Sequence, residues 1–68
     1  MTSNAKAITI TEAHITKAEE QLKEIRLTKD AAYRADVNDL YVFTSIEEKE
    51  KVAAINALQV LLTDLEAI

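Results

Sequence analysis

Apolar residues in the first half of the chain recur with the spacing of a helix that packs along one narrow stripe. Four of them follow one another at steps of three, four and three residues: Ile15, Ala18, Leu22 and Ile25. This is the a/d spacing of a helix that packs lengthwise against another helix. The pattern predicts a first helix over residues 11–37. The stripe turns polar near residues 28–30, so a break there, and with it a third helix, stays open.

The second half repeats this spacing and widens it. Its stripe consists of Ile55, Leu58, Leu62 and Leu65, and it predicts a second helix over residues 46–67. Ala54, Leu61 and Ile68 extend the apolar arc on one side and Val52 on the other, to about half of the helix circumference. One neighbouring helix does not cover an arc of that width, and apolar patches of this size rarely stay exposed on soluble proteins.

The segments before and between the helices carry weaker patterns. Residues 1–10 contain β-branched residues in alternation, which is typical of a strand, but a lone strand is not stable. We therefore expect a lead-in arm there. The alternatives are an early helical turn and a strand that pairs with another subunit. Residues 38–45 are predicted to connect the helices, because Asn38 and Asp39 tolerate turn conformations and no Gly is present.

Two hydroxyl residues are candidates for the cap of the second helix. Thr44 with Glu47, and Ser45 with Glu48, both have the spacing of a capping box. Two helices of similar length with a short connection lie antiparallel. The sequence thus predicts an all-α fold, with residues 1–68 forming a single helical domain in the shape of an antiparallel two-helix hairpin.

A chain of 68 residues builds a marginal core and commonly needs a disulfide, a metal or a second subunit. It contains no Cys and one His, so a second subunit is what remains. Together with the wide apolar arc, this predicts a homodimer in which two hairpins form a four-helix bundle. The expected seam of core and dimer residues is Ile15, Ala18, Leu22, Ile25, Ile55, Leu58, Leu61, Leu62 and Leu65.

Composition and charge narrow the function classes. The formal net charge is −4, which disfavours binding to nucleic acid or to anionic lipid. No apolar run is long enough for a membrane span or a signal peptide, so we expect a cytoplasmic protein without membrane contact. Gly and Pro are both absent, which disfavours folds that need many tight turns.

No combination of residues is typical of catalysis or metal binding. His14 has no companion ligand at a suitable spacing, and the glutamates are interleaved with lysines, as on a solvated helix face. Without Gly there is no phosphate-binding loop. We expect no enzyme activity, no catalytic or metal-binding residue, no cofactor and no small-molecule substrate.

Tyrosine, phenylalanine and arginine supply the best candidates for binding a protein partner, since Tyr and Arg in particular are enriched at interfaces. The candidates are Arg26, Tyr33, Arg34, Tyr41 and Phe43. The alternative is that Tyr33 completes the first stripe and that Tyr41 and Phe43 pack at the end of the bundle.

These features favour a small regulator or inhibitor that acts as a homodimer on a larger partner protein. Its size and acidity are typical of phage- or mobile-element-encoded inhibitors, for which transcription activators, ATPases and nucleases are candidate targets. The alternative is a structural or assembly protein, such as a virion or scaffolding component, that acts through self-association. A DNA-contacting regulator is a weaker third reading because the chain lacks a basic recognition helix.

Overall fold

The computed structural model describes residues 2–67, which form two helices packed side by side. Helix α1 spans Thr2–Arg34 and helix α2 spans Asn38–Ala67. Contacts between the start of α1 and the end of α2, described below, show that the helices run antiparallel. The molecule is a rod of 52 × 14 × 11 Å. The predicted all-helical hairpin is therefore confirmed.

Helix α1 begins earlier than the sequence predicted, so residues 2–10 are helical and the prediction of an arm or strand is wrong for them. Met1 lies outside the described residues. Ala7 and Ile8 are half-buried, and the Asn4 Nδ2 donates a hydrogen bond of 2.8 Å to the Leu65 carbonyl oxygen. Packing against α2 thus outweighs the β-propensity of this segment, which is only a weak local preference.

The helices are joined by a three-residue turn, 35–37, and not by the predicted connection 38–45. Asp36 has a φ of 59°, in the left-handed region. The N–H of Val37 donates to the Ala32 carbonyl at 2.9 Å, and the N–H of Asp36 donates to the Tyr33 carbonyl at 3.3 Å. These two bonds form a Schellman motif. The expectation that an Asn or Asp must replace the missing Gly was right in kind, but the residue is Asp36.

Because α2 starts at Asn38, the hydroxyl residues predicted to cap it lie inside the helix. The Thr44 hydroxyl lies 2.8 Å from the Leu40 carbonyl and 3.1 Å from the Tyr41 carbonyl, and the Ser45 hydroxyl donates to the same Tyr41 oxygen. Both hydroxyls therefore bond back to the preceding turn, as Ser and Thr do within helices. The capping-box prediction is wrong. Helix α1 is continuous, so the suggested break near residues 28–30 does not occur.

The core is one layer of side chains between the two helices. The buried residues are Thr11, Ile15, Ala18, Leu22, Ala32, Thr44 and Ile55. Four more members of the predicted seam are half-buried: Ile25, Leu58, Leu62 and Leu65. Leu61 is 46 % exposed, so it does not belong to the core of the hairpin. It lies about 100° around α2 from Leu62, where one neighbouring helix does not reach it.

Much apolar surface stays uncovered on this rod. The accessible surface is 5193 Å². A compact monomer of 7.6 kDa is expected to expose about 4,300 Å² by the usual scaling with mass. Seven of the ten large apolar side chains that are exposed lie on α2 or in the turn before it, among them Phe43 at 60 % and Val60 at 62 %. Neither helix, over residues 2–67, has a stretch apolar and long enough to cross a bilayer.

Candidate protein-binding site

A cluster of charged and aromatic side chains lies near the turn, at the end of the hairpin where the core stripe becomes polar. Lys29 follows Leu22 by seven residues, and Glu48 precedes Ile55 by seven, so both occupy core positions of their helices. The Lys29 Nζ lies 2.8 Å from Glu48 Oε1, and the Arg26 Nε lies 2.9 Å from Glu48 Oε2. One carboxylate of α2 therefore holds two cations of α1.

The hydrogen bonds of this contact shift the pKa of Glu48 and the pKa of Lys29 in the directions that favour their charged forms. The hydrogen bond from Lys29, followed by the one from Arg26, lowers the pKa of Glu48 from its ordinary value. The hydrogen bond to Glu48 raises the pKa of Lys29. Glu48 and Lys29 are thus held in their charged forms, because each hydrogen bond favours the ionised state.

Two tyrosines extend the cluster toward the turn. The rings of Tyr33 and Tyr41 lie 5.7 Å apart between centroids, inclined at 49°. The Lys29 Nζ lies 5.6 Å from the centroid of the Tyr41 ring, a cation–π distance. Tyr41 is half-buried, whereas Tyr33 is 70 % exposed. We call Arg26, Lys29, Tyr33, Tyr41 and Glu48 the loop-end cluster.

The cluster surrounds a shallow open groove. Its lining residues are Arg26, Lys29, Asp30, Tyr33, Tyr41 and Glu48. The groove combines two aromatic rings, two cations and two carboxylates, so it offers apolar contact together with hydrogen-bond donors and acceptors. That combination suits recognition of another protein surface more than enclosure of a small molecule, for which a deep pocket is usual.

The structure brings together three of the five predicted partner-binding residues, Arg26, Tyr33 and Tyr41. Arg34 lies close by in the last turn of α1, where its Nε is 3.1 Å from Asp30 Oδ2, an i,i+4 pair. Phe43 is separate: it lies two residues beyond Tyr41, and so on the far side of α2, away from the hairpin core. It belongs to a different surface.

Lys29 and Glu48 were not predicted as site residues from the sequence. Glu48 was assigned to a capping box, and the glutamates as a group to solvated faces. The available signal was their register, since each continues the heptad spacing of its helix at a position that otherwise holds an apolar residue. Opposite charges at core positions on antiparallel helices, each seven residues nearer the turn than the packed pair Leu22 and Ile55, predict an ion pair between the helices.

A second surface runs along α2 on the side opposite the core. Phe43, Ile46, Ala53, Ala57 and Val60 are all exposed and follow helical spacing, with Glu50 at the remaining position of the series. We call these six residues the outer stripe. It is a second apolar seam on a helix that already uses its first seam to pack on α1.

His14 belongs to neither of these two surfaces. His14 is exposed on α1, and no group of three or more His, Asp or Glu within the described part of the chain is arranged to hold a metal ion. The absence of Cys is a property of the whole sequence.

Comparison of the chain with protein-family models, with curated proteins and with solved structures gave no match.

Proposed function

We propose that this chain is a non-enzymatic regulator or inhibitor that acts as a homodimer and binds a larger partner protein through the loop-end cluster. The observation that carries the proposal is the pair of tyrosines, with their rings inclined to each other, beside two cations that one carboxylate holds in place. Tyr and Arg dominate the energetic centres of protein interfaces.

The cluster is ordered before any partner arrives. Arg and Lys side chains normally lose rotamer freedom when they bind, which lowers affinity. Glu48 already fixes Arg26 and Lys29, so less of that entropy is lost on association. The Tyr33 side chain is exposed and has most of its area left to bury. Tyr33 is therefore the anchor of the proposed site, and its ring lies against that of Tyr41, which Lys29 contacts from the ion pair.

The proposed partner surface is a groove that accepts a tyrosine ring and carries acceptor groups at its rim. The Arg26 guanidinium reaches Glu48 through Nε, and its side chain is 57 % exposed, which leaves further N–H groups directed outward for a carboxylate or carbonyl of the partner. Inhibition would follow from competition for that groove. Transcription activators, ATPases and nucleases of the host of a phage or mobile element, in the cytoplasm, are the first targets to test.

Affinity capture with tagged protein tests this proposal. We expect the wild-type chain to retain a defined partner from a host lysate and the Tyr33→Ala variant to lose it. The matched control is His14→Ala, which removes an exposed ring from the same helix away from the cluster. Circular dichroism checks that all three proteins are helical. Equal capture by all three, or none by the wild type, would contradict the proposed site.

An assembly protein is the second candidate, and the outer stripe is the observation that favours it. A largely apolar surface of this kind supports self-association without any other partner. Light scattering separates the two functions: a fixed mass across concentrations supports the dimeric regulator, whereas growth into large species with concentration supports assembly.

A further inference from the structure

The outer stripe has the geometry of a coiled-coil seam that lacks its second helix. Its positions 43, 46, 50, 53, 57 and 60 alternate steps of three and four. The outer face of α1 is different, since it presents Lys17, Glu20, Glu24 and Arg34 to solvent beside the exposed Ile10 and Leu27. Charged residues therefore interrupt its apolar positions more often than Glu50 interrupts the outer stripe. Only α2 is therefore built to pack on both sides.

We propose that the outer stripe of α2 binds the same stripe of a second copy, with the two α2 helices antiparallel. The inference deepens the homodimer of the proposed function and assigns its interface. The two-fold axis crosses the interface at a level along α2 midway between residues 51 and 52, so that positions whose numbers add to 103 face each other. Such an isologous contact is self-complementary and closes after two copies.

This register matches large residues with smaller ones along the stripe. Phe43 faces Val60 of the second copy, and Ile46 faces Ala57. Near the axis, Glu50 faces Ala53. The small residues at the centre let the helix backbones approach, and the large ones fill the space on either side. Every position of the stripe except Ala53, which faces Glu50, then has an apolar residue opposite it.

The residues beside the stripe agree with the same register. Leu40 and Leu61 are 40 % and 46 % exposed, and both lie on one flank of the stripe. In the antiparallel arrangement each Leu40 lies beside Leu61 of the second copy. Leu61, which the hairpin core leaves uncovered, is buried in this way at the dimer interface.

Charge selects the antiparallel direction. In a parallel pair each residue of the seam meets its own copy, so Glu50 would face Glu50. Like charges placed opposite each other destabilise such contacts. In the antiparallel pair Glu47 lies beside Ala54 of the second copy and Glu50 beside Ala53, so these carboxylates point past apolar residues toward water.

The uncovered area also fits a second copy. The accessible surface of 5193 Å² exceeds that of a compact monomer of this mass by about 900 Å². A stable interface of ordinary size covers about 800 Å² on each partner. Covering the outer stripe and its flank with an identical helix removes an area of that order.

Disulfide trapping in the purified full chain tests both docking and direction, because the chain has no Cys of its own. We expect the Phe43→Cys, Val60→Cys double variant to oxidise to a covalent dimer, and each single variant to stay non-covalent. Residues 43 and 60 lie about 25 Å apart on one helix, at 1.5 Å per residue, so a bond within one chain is excluded. A single variant that cross-links as fully as the double variant would show a parallel pair and overturn the proposal.

The mass of charged variants provides the second measurement. Wild-type protein is expected at twice the chain mass by sedimentation equilibrium, and Ala57→Glu at the chain mass with its helical circular dichroism retained. Leu27→Glu is the matched control, since Leu27 is 57 % exposed on the outer face of α1, and it should stay dimeric. A wild-type monomer, a larger open assembly, or a dimer that Ala57→Glu leaves intact would overturn the proposal. Neither measurement involves a larger partner. If the chain forms this dimer but Tyr33→Ala captures the partner as well as the wild type does, only the proposed binding site is contradicted.

Discussion

Asp36 shows how a chain without glycine reverses direction. A left-handed residue usually ends a helix of this kind, and Gly takes that position at least cost because it lacks a Cβ. Asp is one of the few other residues that adopt this conformation, through its short polar side chain. The φ of 59° at Asp36 is the only positive one among the non-Gly residues of the described chain. The strain of the turn is thus confined to one residue.

Replacing Asp36 by glycine should stabilise the hairpin. The left-handed conformation costs most L-residues about 1–2 kcal/mol and Asp somewhat less, so Asp36→Gly is expected to raise the free energy of unfolding by roughly 0.5–1 kcal/mol. Urea denaturation at fixed protein concentration measures the change. Asp39→Gly is the control, because it places the same residue in the first turn of α2, where it should destabilise. A decrease in stability for both variants would contradict the role given to Asp36.

Glu48 should make part of the stability dependent on pH. Its pKa is lowered in the folded chain, so its contribution is fully present above the ordinary pKa of 4.5 and is lost as the pH falls through the lower folded-state value. The raised pKa of Lys29 acts at the other extreme: its contribution is present below 10.5 and is lost as the pH rises through the folded-state value. The ion pair therefore stabilises the hairpin throughout the neutral range.

Comparison with Glu48→Gln isolates this contribution from the other carboxylates. The thermal midpoint of the variant should lie below that of the wild type at pH 7, and the difference should shrink toward zero near pH 2, where Glu48 is protonated. Glu20→Gln, on the exposed outer face of α1, should show no such difference at either pH. A Glu48→Gln difference that is the same at both pH values would mean that the ion pair does not stabilise the fold.

At the scale of the helices, the hairpin depends on very few buried side chains. The packed cluster at its centre consists of Ala18, Leu22 and Ile55, with Val52 against it. Most of the surrounding seam is only half-covered, because two helices shield each other along one line. Each central side chain therefore contributes a large share of the stability.

Ile55→Ala tests this directly. Truncating a buried isoleucine costs about 2–5 kcal/mol, and we expect the lower half of that range because the thin core lets neighbours close part of the cavity. Asn56→Ala, at the next and exposed position, should change stability by less than about 0.5 kcal/mol. Chemical denaturation of both variants gives the comparison. Equal effects would show that Ile55 is not the centre of the core.

The sequence predicted the helices and their pairing because the spacing of apolar residues decides which face of a helix is buried. Ile15, Leu22 and Ile55 are buried where that spacing placed them. It failed at the helix ends, since Thr44 and Ser45 have the chemistry of helix caps but equally satisfy their hydroxyls inside a helix. End positions depend on which of two local bonds tertiary packing favours, and a local pattern does not contain that information.

The candidate site was predicted in part for a related reason. Tyr33, Tyr41 and Arg26 have side chains whose chemistry alone suggests binding. Glu48 is one of several similar glutamates, and it differs from them only in lying opposite Lys29 of the facing helix. Which residues of the two helices lie opposite each other follows from the position of the turn. A turn misplaced by a few residues shifts every pairing between the helices, so the ion pair was missed together with the turn.

At the scale of the whole molecule, the two surfaces divide the proposed tasks. The loop-end cluster lies at one end of the rod and involves side chains of both helices, whereas the outer stripe runs along α2 alone. In the antiparallel dimer that we propose, the two loop-end clusters lie at opposite ends of the assembly. A dimer of this kind presents two copies of the binding site that do not compete for one partner surface, and it gains affinity only for a partner with two suitably spaced sites.

If folding and dimerisation are coupled in this way, thermal stability depends on protein concentration. Each tenfold rise in concentration favours a folded dimer over two unfolded chains by about 1.4 kcal/mol. With the usual entropy of unfolding per residue, this amounts to a shift of about 5 °C in the thermal midpoint for a dimer of two such chains. Calorimetry over two decades of concentration measures it, and Ala57→Glu, in which the outer stripe carries an extra charge, should lose the dependence. A wild-type midpoint that stays constant over that range would mean that a folded monomer tolerates the exposed apolar face of α2. The second apolar seam of α2 would then not be explained by dimerisation.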